Sequence, residues 1–164
     1  MNATITLREY LEKGKTFFVP NYQRGYVWGK KRPKDDRDSV SYMLDSLLDS
    51  FRNNTEVFIQ GVTVSETEEG IVLIDGQQRT TFFYLLLNWL DYKEPFRLEY
   101  AIRKQSNDFL NKIKEQDIEE NKDEEFQDIY FFKKTLRIVT DRLTPDIDRE
   151  AFLKHVLDRV KFLY

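Results

Sequence analysis

The sequence predicts an α+β fold, a small mixed sheet with packed helices followed by a helical C-terminal portion. Two observations predict the class. Short β-rich runs at residues 17–19, 57–64, 71–74 and 96–102 alternate with stretches of helical periodicity, and beyond residue 103 the helical pattern dominates. The 164 residues are also apolar enough to bury a real core, because 40% are hydrophobic and 15% aromatic, including 13 Phe and 9 Tyr, against 34% charged.

The elements follow in order. Thr6-Leu7-Arg8-Glu9 has capping-box spacing, with Gly14 as a stop, so a short helix opens the chain directly after the polar N-terminus. Phe17-Phe18-Val19 reads as a buried strand ended by Pro20, which cannot donate to a ladder, and residues 21–28 form a loop or strand exit. Val40, Met43, Leu44, Leu47, Leu48 and Phe51 fall at the spacing of an amphipathic helix. Residues 57–64 and 71–74 read as an antiparallel hairpin with a polar tip. Residues 80–90 are apolar on nearly every face, which makes them the central buried helix. Residues 96–102 alternate as a strand, and Phe109, Leu110 and Ile113 mark another helix. The acidic stretch 115–128 reads as a solvated loop or helix face. Phe126, Ile129, Phe132, Leu136, Val139 and Leu143 trace a helix ended by Pro145, and Asp148 caps a last one. Residues 160–164 look like a strand lacking its continuation, so the chain is expected to continue beyond Tyr164 and to leave an incomplete sheet or an exposed apolar patch.

Charge and residue usage exclude several functions. With 26 basic and 29 acidic side chains the net charge is -3, so no global positive field draws the protein to DNA, and any nucleic-acid contact needs a local patch. Zero cysteines exclude disulfides, thiolate chemistry and Cys-ligated zinc, and fit a reducing cytoplasm. The single histidine, His155, cannot build a multi-His metal site and reads as ordinary surface. No apolar stretch approaches the roughly 20 residues that span a bilayer. A soluble, cytoplasmic protein without a membrane partner is expected.

Two clusters carry chemistry. The first, residues 19–28, packs Gln23, Arg24 and the aromatics Tyr22, Tyr26 and Trp28 beside a proline and a glycine. Aromatic rings with a guanidinium are what a site needs to stack a planar base and hold a phosphate, although the same aromatics also suit the core of a loop. The second is Asp75-Gly76-Gln77-Gln78-Arg79-Thr80-Thr81, between a hydrophobic strand and a buried helix. Such a turn aims backbone N–H groups and the positive end of a helix dipole at one point. Gly76 lets backbone approach a phosphate, Arg79 forks onto it, and Gln77 and Gln78 orient a water or ligand. Asp75 suits a metal ion, a general base, or an acceptor for a ribose or base. An N-cap with a surface arginine fits the same spacing.

Residues 19–28 and 75–79, with the helix between them and an Ile59-Gln60-Gly61 strand, resemble the GmrSD-type family with its DGQQR motif. The likeness is strongest from about residue 4 to about residue 90. It implies a ParB/sulfiredoxin-like fold, with residues 1–103 as the nucleotide-binding core and 104–164 as a helical extension that stops before a nuclease domain. It also implies a domain that binds and hydrolyses nucleoside triphosphates with Mg²⁺, and that acts on modified DNA through the full-length protein and an HNH-type nuclease in the same chain or a partner subunit. A homodimer is compatible with it. By this likeness Asp75, Gln77, Gln78 and Arg79 are the catalytic residues, Asp75 holds the metal, and Tyr22, Gln23, Arg24, Tyr26, Gly76, Arg79 and Thr80 bind the nucleotide. By this likeness a further motif and then the nuclease are expected to follow beyond the position of Tyr164. A non-hydrolysing module that senses a modified DNA backbone or base is the alternative, using a local groove of Arg24, Lys30, Lys31, Arg32, Lys34 and Arg79.

Overall fold

The computed structural model describes residues 3–20, 25–28, 30, 38–119, 124 and 126–164. They form an α+β fold with two mixed sheets. The first strand, β1 (Thr4–Thr6), runs straight into α1 (Leu7–Glu12), and the junction is the expected capping box: the Glu9 amide donates to Thr6 Oγ1 at 3.2 Å, and the Thr6 amide donates to Glu9 Oε1 at 3.1 Å. The strand before that helix was not anticipated, since three residues that alternate polar and apolar carry too little pattern.

After β2 (Thr16–Val19) comes α2 (Ser39–Asn53), whose first turn is held by Asp38 accepting from the Ser41 amide at 2.7 Å. β3 (Val57–Phe58), β4 (Thr63–Glu66) and β5 (Ile71–Asp75) follow, then α3 (Gln77–Trp89) and β6 (Arg97–Tyr100). The remainder is α4 (Lys104–Asn111), a 3₁₀ turn at Ile113–Glu115, α5 (Gln127–Arg142), α6 (Arg149–Arg159) and β7 (Val160–Leu163). Asp148 caps α6 by accepting from the Ala151 amide at 3.1 Å, as its position predicts.

One sheet has the order β4-β5-β2-β6, with the β4/β5 hairpin antiparallel and the other two pairings parallel. The other has the order β1-β7-β3, antiparallel and then parallel. The predicted hairpin is therefore present, but residues 57–64 do not make one strand. Val57 and Phe58 pair with β7, and the chain changes sheets before Thr63. Instead of a strand, Ile59, Gln60 and Gly61 form the connection between sheets, anchored by the Ile59 and Val62 amides on the carbonyls of Lys161 and Leu163.

β7 corrects the expected incomplete sheet. It is the centre strand, bonded on both sides, with Val160 and Phe162 buried and Leu163 exposed. Residues beyond 103 share one hydrophobic core with those before it. Phe132 and Leu136 of α5 are buried together with Phe82 and Leu86 of α3, and α5 packs on α3.

Two readings of polar groups are corrected as well. Asp128, assigned to a solvated acidic stretch, is buried in the first turn of α5 and bonded to Arg103 and Ser106. His155 is also buried, with Nε2 2.8 Å from Ser50 Oγ. Since the Ser50 hydroxyl proton goes to the Leu47 carbonyl, His155 donates from Nε2. Both burials come from packing between elements distant in sequence, which a local charge run does not reveal.

Candidate functional site

The turn from β5 into α3 is shaped by Gly76. Its φ is 100°, in the left-handed region, and a Cβ there would lie 2.6 Å from Val62 Cγ1. Gly76 is also the N-cap of α3, so no side-chain oxygen caps the first turn of that 13-residue helix. The helix starts at Gln77, three residues before the expected Thr80, which places Gln77, Gln78 and Arg79 in its positive first turn. Asp75 ends β5 and is exposed beside them.

Arg79 is half-buried and held in one direction. Its Nη1 donates to Gln60 Oε1 at 3.1 Å, and its Nη2 donates to the carbonyl of Gly61. Its Nε is enclosed and has no hydrogen-bond partner. Burial pulls the guanidinium below its ordinary pKa, while the Asp75 carboxylate and Tyr10 act in the opposite direction. An arginine remains charged under these conditions, so a fixed cation sits beside an uncapped helix N-terminus.

Gln78 faces inward. Its Nε2 donates to the Gly25 carbonyl at 2.9 Å, and its Oε1 accepts from the Val27 amide at 2.9 Å. Both ends of the amide are thus engaged by backbone. Tyr26, expected in the ligand cleft, is fully buried: its hydroxyl lies 2.9 Å from Thr135 Oγ1 and its ring 5.4 Å from that of Phe132. Thr80 is buried too, with its hydroxyl 2.8 Å from that of Tyr10. Both therefore face the interior, where burial raises the phenol pKa of Tyr10 and Tyr26. Tyr22, Gln23 and Arg24 lie outside the described residues, and so do Lys31, Arg32 and Lys34 of the expected local groove. Lys30 is exposed.

Arg79 opens onto a cleft of about 280 Å³ between α2 and the connection after β3. Trp28 lines it, as do Tyr42 and Met43 of α2 and Phe58 and Gln60 from the opposite wall. The Trp28 ring is fixed from behind by Phe82, with ring centroids 5.7 Å apart. The chemistry on offer is one fixed cation, amide dipoles and aromatic surface, which suits a planar anionic ligand. Among the described residues no three His, Asp or Glu side chains cluster to hold a metal. Asp75, the carboxylate at the turn, is a ligand set that fits Mg²⁺ only where a phosphate and water complete the shell.

The sequence reading had Gln60 and Gly61 only as part of a strand in the family likeness, not as partners of Arg79, and it missed Tyr42 and Phe58. The signal for α2 was present: Ser39, Tyr42, Met43 and Ser46 fall at i, i+3, i+4 and i+7, a second stripe beside the core stripe, and all four line the cleft. The contacts of Gln60 and Gly61 with Arg79 had no local signal, because they arise where the chain changes sheets.

No helix among the described residues is long and apolar enough to cross a membrane. No curated protein matches this chain. The model of the GmrSD restriction endonuclease N-terminal domain matches residues 7–163, nearly the full length, and the chain therefore belongs to that restriction-endonuclease domain family.

Proposed function

We propose that this chain is the nucleotide-binding, NTP-hydrolysing regulatory domain of a modification-dependent DNA restriction protein, coupled to an HNH-type nuclease in the same chain or a partner subunit. The observation that carries the reading is Arg79, a cation oriented by Gln60 and Gly61, with a buried donor left unpaired beside an uncapped helix N-terminus.

A triphosphate placed against the first turn of α3 meets the amides of that turn and the Arg79 fork, with its base against Trp28 and Phe58 in the cleft. Asp75 would hold Mg²⁺ together with the phosphates, and the ion would supply charge neutralisation for the transferring phosphoryl group. Gln77, in the same turn, orients the attacking water, while Gln78 is occupied by backbone. Arg79 stabilises the charge that develops on the phosphoryl oxygens. The alternative, a non-hydrolysing module that senses a modified DNA base, loses Tyr26 as a stacking ring, since Tyr26 is enclosed.

Calorimetric titration of the chain with GTP, ATP, CTP and UTP in Mg²⁺, followed by phosphate release, tests the proposal. Saturable binding of at least one triphosphate supports it. Heat from none of the four would overturn it.

A further inference from the structure

We propose that Gln78 is a positioning residue whose side-chain amide ties the start of α3 to the loop 25–28 and so sets Trp28 against the cleft that Arg79 lines. The inference rests on that cleft being the nucleotide site. Gln78 lies 53 residues from Gly25 and 51 from Val27, yet bonds both. It donates to one carbonyl and accepts from an amide two residues on, the pattern a neighbouring strand would supply. The tie fixes the loop's register: Tyr26 turns into the core toward Thr135, and Trp28 turns to the cleft. Phe82, one helical turn after Gln78, backs the Trp28 ring, so one face of α3 sets both the backbone and the ring.

Only a group with a donor and an acceptor side by side can make this bridge. Leucine makes neither bond. An ionised glutamate keeps the bond from the Val27 amide but turns a carboxylate oxygen toward the Gly25 carbonyl, where two acceptors repel. A protonated glutamate restores the pair, because its O–H donates to Gly25 while its C=O accepts from Val27. Gln78→Glu should therefore be a protein whose loop placement depends on pH, which wild type and Gln78→Leu are not.

The test uses the whole chain carrying Trp89→Phe, which leaves Trp28 as the single tryptophan of two. Trp28 emission and acrylamide quenching are read from pH 8 to pH 5 in wild type, Gln78→Glu and Gln78→Leu, with circular dichroism to confirm folding. The expected result is red-shifted, readily quenched emission in Gln78→Glu at pH 8 that returns toward wild type as pH falls, and no such return in Gln78→Leu. Where nucleotide turnover is measured, KM should rise about tenfold at pH 8, consistent with losing one or two hydrogen bonds, and kcat should change less. Wild-type emission from Gln78→Leu, or a shift in Gln78→Glu that does not recover by pH 5, overturns the proposal. Hydrogen exchange on the unmodified chain covers the case in which the variants do not fold: the Val27 amide should be protected like the Thr80 amide, which is bonded to the Gly76 carbonyl, and immediate exchange overturns the tie. If wild type binds no nucleotide, the functional reading fails, while emission and exchange still decide the role of Gln78.

Discussion

Asp128, in the first turn of α5, meets Arg103, the residue before α4, with Arg103 Nη1 3.0 Å from Asp128 Oδ2. The carboxylate is buried, the guanidinium is partly exposed, and the Ser106 hydroxyl donates to the same oxygen at 3.0 Å. Gly25 leaves room for it, because a Cβ on Gly25 would collide with Asp128 Oδ1. The two partners are unequal: without Asp128 the arginine can turn to water, but without Arg103 the carboxylate stays buried. Arg103→Ala is accordingly expected to cost about 3 kcal/mol in a urea titration, more than Asp128→Ala. Gly25→Ala should also destabilise, and the double variant Gly25→Ala/Asp128→Ala should cost less than the two single losses added together. Additive losses would separate Gly25 from this carboxylate.

Gly76 makes a second claim on stability. Alanine there meets both a positive φ and Val62, so a loss of about 1–3 kcal/mol is expected from thermal and denaturant unfolding. Val62→Ala added to Gly76→Ala should recover the part due to collision and not the part due to φ. A Gly76→Ala protein as stable as wild type would mean that the turn has another conformation.

His155 gives a pH dependence whose sign follows from its surroundings. Desolvation, with help from Arg159, lowers its pKa from the ordinary value of 6.5. Below 6.5 the unfolded chain binds a proton that the folded chain refuses, so its contribution to stability is intact above 6.5 and is lost as pH falls through the folded value. Urea midpoints at pH 7, 6 and 5 should therefore converge between wild type and His155→Gln as pH drops. A gap that widens on acidification contradicts the neutral, buried imidazole.

Much of this architecture was legible because local chemistry and tertiary packing agree. Thr6 and Glu9 announced α1, Asp148 announced α6, and the unbroken apolar run after residue 80 announced the buried helix. The pattern failed where tertiary context decides. Val57 and Phe58 have the composition of the hairpin strand that follows, but they join a different sheet because β7 offers them a partner from the far end of the chain. Tyr26 and Trp28 look alike in sequence, and only the loop's register sends one to Thr135 and the other to the cleft. For the site, the Asp75 to Arg79 turn was readable from its glycine and the hydrophobic strand before it. The partners of Arg79 were not, since Gln60 and Gly61 are brought there by the passage between sheets.

The central claim is that Arg79 holds a nucleotide, and the most direct measurement is the affinity of wild type, Arg79→Ala and Arg79→Lys for the best-bound triphosphate, with melting curves alongside. A lost charge-assisted fork is worth roughly 1.5 to 3 kcal/mol, so alanine should weaken binding at least about tenfold, with the protein still folded. Lysine should restore only part of it, because a point charge cannot reproduce the planar pair of donors. Unchanged affinity in a folded Arg79→Ala protein would contradict the account.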